Sequence, residues 1–188
     1  MIYALVDKET LEKKSVSLVD LLKNINNIKA PILQYRNKTG LLADIRADLL
    51  CIRSHYQGKI IINDHIELIE YVDGLHVGQE DLYAFSDNPQ IGIKEIRNQI
   101  GRKLLGLSTH NIDEILAANE LDVDYIGLGA YRTTGTKVDA QVYGDKLLDI
   151  AKHSKHPVAL IGGVRIDDIF DEPITYKVVG SGLYSQIS

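Results

Sequence analysis

Val72-Asp-Gly74-Leu-His76-Val-Gly78-Gln79-Glu80-Asp81 carries the pattern on which the fold turns. Its first six residues have the β-branched, alternating character of a strand. Its last four are a glycine, an amide and two carboxylates, the composition of a loop opening a helix. The same succession recurs along the chain. Strand candidates are Ile2–Val6, Pro31–Tyr35, Lys59–Ile62, Val72–Val77, Lys103–Leu107, Val123–Leu128, Pro157–Ile161 and Tyr176–Val179. Helical spacing lies between them: Leu42, Ile45, Leu49, Ile52 and Tyr56 share one face, as do Ile112, Ile115 and Leu116. Asn111 with Glu114 has the form of a capping box, and Ser17 with Asp20 a weaker one. The segment Tyr83–Ile93, with Pro89 and Gly92, is expected to be irregular and to lead into a helix over Lys94–Ile100. Strands alternating with helices predict a parallel sheet, because parallel neighbours need crossover connections. Composition alone does not separate a closed barrel from an open doubly wound sheet, but a count of eight favours a closed (β/α)₈ TIM barrel, an α/β fold in a single domain, 1–188.

Composition bounds the function. The 188 residues are 45% hydrophobic, enough for one sizeable core. An eight-fold barrel typically takes about 250 residues, so this one must be compact, with short helices. A net charge of -5 argues against a general nucleic-acid binder. A single cysteine, Cys51, excludes a disulfide framework and a cysteine-rich zinc site, and its apolar helical spacing predicts a core thiol. No apolar run reaches the roughly 18 residues of a membrane span. The N-terminal residues have no positive stretch ahead of an apolar one, so the expected location is cytoplasmic.

The informative residues are those just past each strand. Gln34, Arg36 and Lys38 end the second; Asn63 and Asp64 the third; Gly78, Gln79 and Asp81 the fourth; Ser108, Thr109 and His110 the fifth. Gly129 through Lys137 come after the sixth, Gly162-Gly163 after the seventh and Gly180-Ser181-Gly182 after the eighth. Polar, charged and glycine residues thus close seven of the eight strands. The C-terminal ends of the strands form the working face of a barrel.

Each cluster has a chemistry and a plainer alternative. The two glycine loops come after the last two strands, where barrels bind phosphate through backbone N–H groups; each is also compatible with a simple turn. Thr134, Thr136 and Lys137 offer two hydroxyls and an ammonium, a set suited to a polyanion or to a solvated loop. Arg36 and Lys38, two apart on an extended segment, would point the same way. Asp64 and Asp81 lie past adjacent strands, and one or two carboxylates completed by substrate phosphate describe a Mg²⁺ site. Against that, Asp64 could cap the following helix, a reading weaker for Asp81. His76 lies where strand alternation turns it inward, a position more often structural than catalytic. His110 is either a helix-start residue or a base reaching the pocket.

Taken in order, Gln34-x-Arg36-x-Lys38, Asn63-Asp64, Gly74-x-His76-x-Gly78-Gln79-x-Asp81, Gly106-x-Ser108, Asp124-Tyr125-Ile-Gly127-x-Gly129, Thr134-x-Thr136-Lys137 and Ile161-Gly162-Gly163 resemble the thiamine phosphate synthase family over essentially the whole chain. The resemblance implies a transferase of thiamine biosynthesis. A hydroxymethylpyrimidine pyrophosphate loses pyrophosphate, and the nitrogen of a thiazole phosphate takes its place. It implies Mg²⁺ on Asp64 and Asp81. It implies pyrophosphate contacts from Arg36, Lys38, Asn63 and Lys137, and Gln34 and Ser108 facing the reacting centre. Lys137, Ser108 and Gln34 would then be the catalytic set. Thr134, Thr136, Gly163, Gly180 and Ser181 would hold the thiazole phosphate.

The chain departs from the family at Ala130-Tyr131-Arg132, where a proline and an aromatic are usual, and at Val179-Gly180-Ser181-Gly182. Only Arg165–Asp171 separates the last two strands, which predicts shortened C-terminal helices and a barrel side that a second copy could cover, as in a homo-oligomer. The related thiazole tautomerase is the nearest rival, matched at Ser108-Thr109-His110, with His110 as proton carrier. A non-catalytic barrel that binds a phosphorylated ligand is the rival from another class. The metal and pyrophosphate residues favour the synthase.

Overall fold

The computed structural model describes residues 1–133 and 144–185. Eight parallel strands close into a barrel in chain order: β1 (Ile2–Asp7), β2 (Ile32–Arg36), β3 (Lys59–Asn63), β4 (Gly74–Val77), β5 (Leu104–Thr109), β6 (Tyr125–Leu128), β7 (Val158–Leu160) and β8 (Ile174–Val179). Each lies within two residues of its expected bounds. Helices α1 (Lys8–Lys13), α2 (Leu18–Asn27), α3 (Leu42–His55), α4 (Gln79–Tyr83), α5 (Pro89–Ile100), α6 (Ile112–Ala118) and α7 (Lys146–Ala151) surround the barrel, with short 3₁₀ turns at Ile66–Tyr71 and Ser181–Tyr184. Among the described residues no helix is long and apolar enough to cross a membrane.

Strand alternation divides the apolar residues into two layers. Outward positions such as Val6, Leu33, Tyr35, Ile60, Ile62, Leu75 and Val77 join the helices in the larger cluster. Inward positions form a smaller one from Tyr3, Ile32, Ile61, Tyr125, Ala159 and Val178. Burial of both layers supplies the main driving force, at roughly 25 cal/mol per Å² of apolar surface removed from water.

The N-terminal rim is stitched by carboxylates. Asp73 accepts from Ile60 N and Arg53, and Asp124 from Leu105 N and Arg97. Asp124 therefore serves the barrel's stable end, away from the working face.

Local expectations fared unevenly. Ser17 and Asn111 cap α2 and α6 as expected. The Glu114 carboxylate, however, reaches back to His110 N at 2.9 Å rather than to Asn111 N. The face with Ile45, Leu49, Ile52 and Tyr56 is buried, but Leu42 and Leu116 are 45% and 49% exposed. Cys51 is half-buried rather than a core thiol, because its position on α3 is off that buried face. Helix α5 starts at Pro89 rather than Lys94: the Asn88 side chain caps it, and a proline at the first helical position loses no hydrogen bond.

The shortened C-terminal end has its own fastening. Among the described residues no helix follows β7, and the connection 161–173 is irregular. Arg132 grips Asp168 through both guanidinium nitrogens, at 2.5 and 3.2 Å. Lys177 Nζ donates to the carbonyls of Ile166 and Asp168, and Phe170 packs edge-on to Tyr131 at 5.4 Å. Past β8, the Ser181–Tyr184 turn folds back on α2, where Asn24 donates to Leu183 O.

Lys177→Met removes both of the hydrogen bonds its ammonium gives to the loop and should cost about 2 kcal/mol. Urea unfolding measures it; an unchanged midpoint would mean that the loop is held by other contacts.

Candidate active site

A cavity of about 190 Å³ opens at the C-terminal ends of the strands. Gln34, Arg36, Asn63, Ser108, Gly163, Gly180 and Ser181 all line it, so seven of the residues that the resemblance assigns to the site come together. Lys38, Asp64 and Asp81 stand outside its lining. Thr134, Thr136 and Lys137 lie outside the described residues.

One polar side chain from each of the first six strands enters a continuous chain of hydrogen bonds. Asn63 is 2.7 Å from Gln34, Gln34 is 2.9 Å from Tyr3, and Tyr3 is 2.8 Å from Tyr125. Tyr125 is 3.1 Å from His76 Nδ1, and His76 Nε2 is 3.0 Å from Ser108 Oγ. All but Ser108 are buried. Burial pulls the His76 imidazole down to about 4, so the ring is neutral near pH 7. Glycines make the room: a Cβ on Gly106 would stand 2.2 Å from the Tyr125 ring and 2.5 Å from His76 Nδ1. The spacing Gly106-x-Ser108 thus places an empty position and a hydroxyl on the same inward face.

At the mouth, strand register sets Asp7 opposite Arg36. The buried Asp7 carboxylate takes Arg36 Nη1 at 2.5 Å and also caps α1 through Thr10 N at 2.9 Å. Arg36 is therefore half-buried and anchored over the cavity, whereas Lys38 is exposed and faces the neighbouring cleft. Arg36 lines that cleft as well, so the two cations share it, and of the two Arg36 alone also reaches the cavity.

The capping alternative falls on the other carboxylate of the pair. Asp81 is the capping residue, accepting Gly78 N at 2.9 Å at the start of α4. Asp64 caps no helix among the described residues; it sits at φ +66° just past β3. Burial, then the facing Asp81 carboxylate, push Asp64 up to about 6, with Lys38 opposing. Two carboxylates held against each other with little compensation fit a divalent cation completed by outside oxygens. Among the described residues no third His, Cys, Asp or Glu joins them.

The glycine loop after β7 is shaped by φ +97° at Gly162 and +60° at Gly163, both regions that favour glycine. A Cβ on Gly162 would stand 2.8 Å from Ala130, and one on Gly163 2.7 Å from Arg132. Arg132 donates to Gly163 O at 3.1 Å, so the unusual Ala130-Tyr131-Arg132 segment packs against this loop and holds it. His110 lines the cavity, but its Nδ1 is 2.9 Å from Glu114 Oε2 at the start of α6.

Sequence reasoning misses Tyr3, Asp7 and Tyr125 and takes His76 as merely structural. Asp7 is legible, since it closes the one strand with no other polar end. The tyrosines are not, because an aromatic in a strand reads as core.

Gly106→Ala should cost about 1–3 kcal/mol by overpacking the His76–Tyr125 contact, read by chemical denaturation; a neutral result would mean the pair is not packed as described. Asp64 has its folded pKa above the ordinary carboxylate value, so its ionisation opposes folding above about pH 6. Asp64→Asn should therefore stabilise the protein at pH 7.5, on the order of 1–2 kcal/mol after allowance for its partial exposure. The gain should fade as pH falls from 6 toward 4. Melting temperatures across that range check it, and a gain at low pH alone would contradict the assignment.

Comparison with known proteins identifies the family. Residues 2–172 match the thiamine monophosphate synthase family model. A thiamine-phosphate synthase from Persephonella marina is 32% identical over 177 residues, covering 90% of this chain and 79% of that protein. One from Nitrosomonas eutropha is 36% identical over 146 residues, 72% of this chain and 64% of its own length. Among solved structures, a thiamine phosphate pyrophosphorylase from Pyrococcus furiosus superposes with a TM-score of 0.74 at 21% identity, over 96% of this chain and 85% of that one, a likeness of fold. On the strength of the family match across 2–172, this chain belongs to the thiamine monophosphate synthase family.

Proposed function

We propose that the chain is a transferase that joins an aminopyrimidine pyrophosphate to a thiazole phosphate, giving thiamine phosphate and free pyrophosphate. The observation that carries this reading is the gathering of amide, hydroxyl, guanidinium and glycine-loop groups in one cavity, beside a carboxylate pair. Family membership and relatives named thiamine-phosphate synthase support it.

In the reaction, the bond from the pyrimidine's methylene carbon to the pyrophosphate oxygen breaks, and its electron pair leaves on oxygen. The lone pair of the thiazole nitrogen forms the new carbon–nitrogen bond. Negative charge grows on the leaving group, so donors aimed there act more on the transition state than on the ground state. Arg36, fixed by Asp7, and the amide of Asn63 are placed for this, and Lys38 lies close enough to act on Asp64. Lys137 belongs to this group by the family pattern. Asp64 and Asp81 would hold Mg²⁺, which when bound neutralises pyrophosphate charge. Gln34 and Ser108 face the pyrimidine. The loops at Gly162-Gly163 and Gly180-Ser181, with Thr134 and Thr136, take the phosphate of the thiazole. Both substrates are small and phosphorylated, in keeping with a cytoplasmic biosynthetic role.

A tautomerase-like isomerase has one observation in its favour, the place of His110 in the cavity lining. Its pairing with Glu114 argues for a helix-start residue instead. Pyrophosphate release, followed continuously in the presence of both substrates, separates the two. Asp64→Asn should lower the rate by roughly 100-fold or more, the scale of one lost transition-state contact. His110→Ala should stay near the unmodified rate. Survival of turnover in the first would overturn the metal role given to Asp64; collapse in the second would overturn the reading of His110 as a helix-start residue; and no pyrophosphate release from the unmodified protein would overturn the synthase assignment.

A further inference from the structure

The chain of hydrogen bonds through the barrel has a direction, and the direction is set by the number of hydrogens each group has to give. A tyrosine hydroxyl has one. Tyr3 gives its hydrogen to Gln34 Oε1, so the contact between the two tyrosines uses the hydrogen of Tyr125. The Tyr125 oxygen can then only accept from His76, whose Nδ1 must carry the ring hydrogen. A neutral imidazole with hydrogen on Nδ1 has a bare Nε2, which accepts from Ser108 Oγ. The hydroxyl hydrogen of Ser108 is spent inside the barrel wall, and its lone pairs are what the cavity meets. At the other end, Gln34 Nε2 donates to Asn63 Oδ1, which leaves the Asn63 amide N–H groups for the cavity.

We propose that His76, Tyr125 and Tyr3 are positioning residues that set the polarity of this site, fixing Ser108 as a hydrogen-bond acceptor and Asn63 as a donor toward the substrate. The inference deepens the functional reading above and rests on it for the identity of the ligand. An anion beside Asn63 can use only donors, so binding of the pyrophosphate end holds the Asn63 amide nitrogen outward. Through Gln34, Tyr3, Tyr125 and His76, that same choice holds Ser108 as an acceptor. The ring facing Ser108 must then offer an N–H, as an amino-heterocycle does; a ring with a carbonyl at that position would set lone pair against lone pair. The barrel makes space for this relay at two inward positions without side chains, Gly106 and Gly127. A Cβ on Gly127 would already lie 3.0 Å from His76 Cε1.

The test reads the tautomer of His76 directly. Long-range ¹H–¹⁵N spectra of the full-length protein, labelled at histidine and held at pH 7, report which ring nitrogen carries hydrogen; a His76→Gln spectrum assigns the signal. The Nδ1–H form is expected, and the Nε2–H form, which would run the whole chain in reverse, overturns the proposal. Tyr125→Phe removes the acceptor for Nδ1. It should convert His76 to a mixture of forms and raise KM for the aminopyrimidine substrate about tenfold, with a smaller change in kcat. A changed tautomer with unchanged KM would overturn the link to substrate polarity. If Tyr125→Phe does not fold, the tautomer in the unmodified protein still decides the direction. The spectra need no turnover, so an Nδ1–H result in a protein that makes no thiamine phosphate would count against the assigned reaction and leave the relay standing.

Discussion

Six polar side chains occupy the inside of this barrel, and each is stable there only because the next one answers it. A buried amide, hydroxyl or imidazole without a partner costs about 1–3 kcal/mol, so a row of them is ruinous unless it is complete. Completion demands strand register: Tyr3 meets Gln34 across 31 residues of sequence and Tyr125 across 122. Closure of β1 through β8 fixes those distances, and the glycines of β5 and β6 keep the His76–Tyr125 contact free of steric conflict. The same constraint that stabilises the interior presents Ser108, Gln34 and Asn63 to the cavity in fixed orientations. Fold and site are one arrangement here.

At the mouth the opposite economy holds. Asp64 and Asp81 face each other across poorly compensated charge, and Asp64 is pushed up to about 6 as a result. Such strain is what a site for cations and polyanions carries when its residues are set for a ligand rather than for the free protein. Asp7 is the contrast, since its carboxylate is fully answered, neutralising Arg36 and capping α1. The C-terminal end compensates for lost helix with charge: Arg132 and Lys177 tie down the loop between β7 and β8, where other barrels would pack a helix. Because Arg132 also holds Gly163, the departure from the family at 130–132 is tied to the loop assigned to the second phosphate.

Much of this is legible in the chain. Short β-branched runs fall on every strand, and Gln34, Arg36, Asn63, Ser108, Gly163, Gly180 and Ser181 past their ends line the cavity, while Lys38, Asp64 and Asp81 stand outside it. The failures have physical causes. Asn88-Pro89 looks like an interruption because proline breaks helix interiors, yet at a first helical position it costs nothing. Cys51 has apolar company in sequence but sits off the buried face of α3. The capping alternative, which the sequence offers more readily to Asp64, falls to Asp81, because capping depends on backbone geometry that a dipeptide does not reveal. Tyr3, Tyr125 and His76 are hidden for a deeper reason: their importance lies in pairings between distant strands, set by register rather than by local pattern.

Coupling of two phosphorylated heterocycles is the chemistry proposed for this cavity. Purified protein incubated with the pyrimidine pyrophosphate, the thiazole phosphate and Mg²⁺, then resolved by chromatography, measures it most directly. Thiamine phosphate formed in equal amount to pyrophosphate, and only when both substrates are present, is the predicted result. Folded protein that releases no pyrophosphate and forms no thiamine phosphate would contradict it.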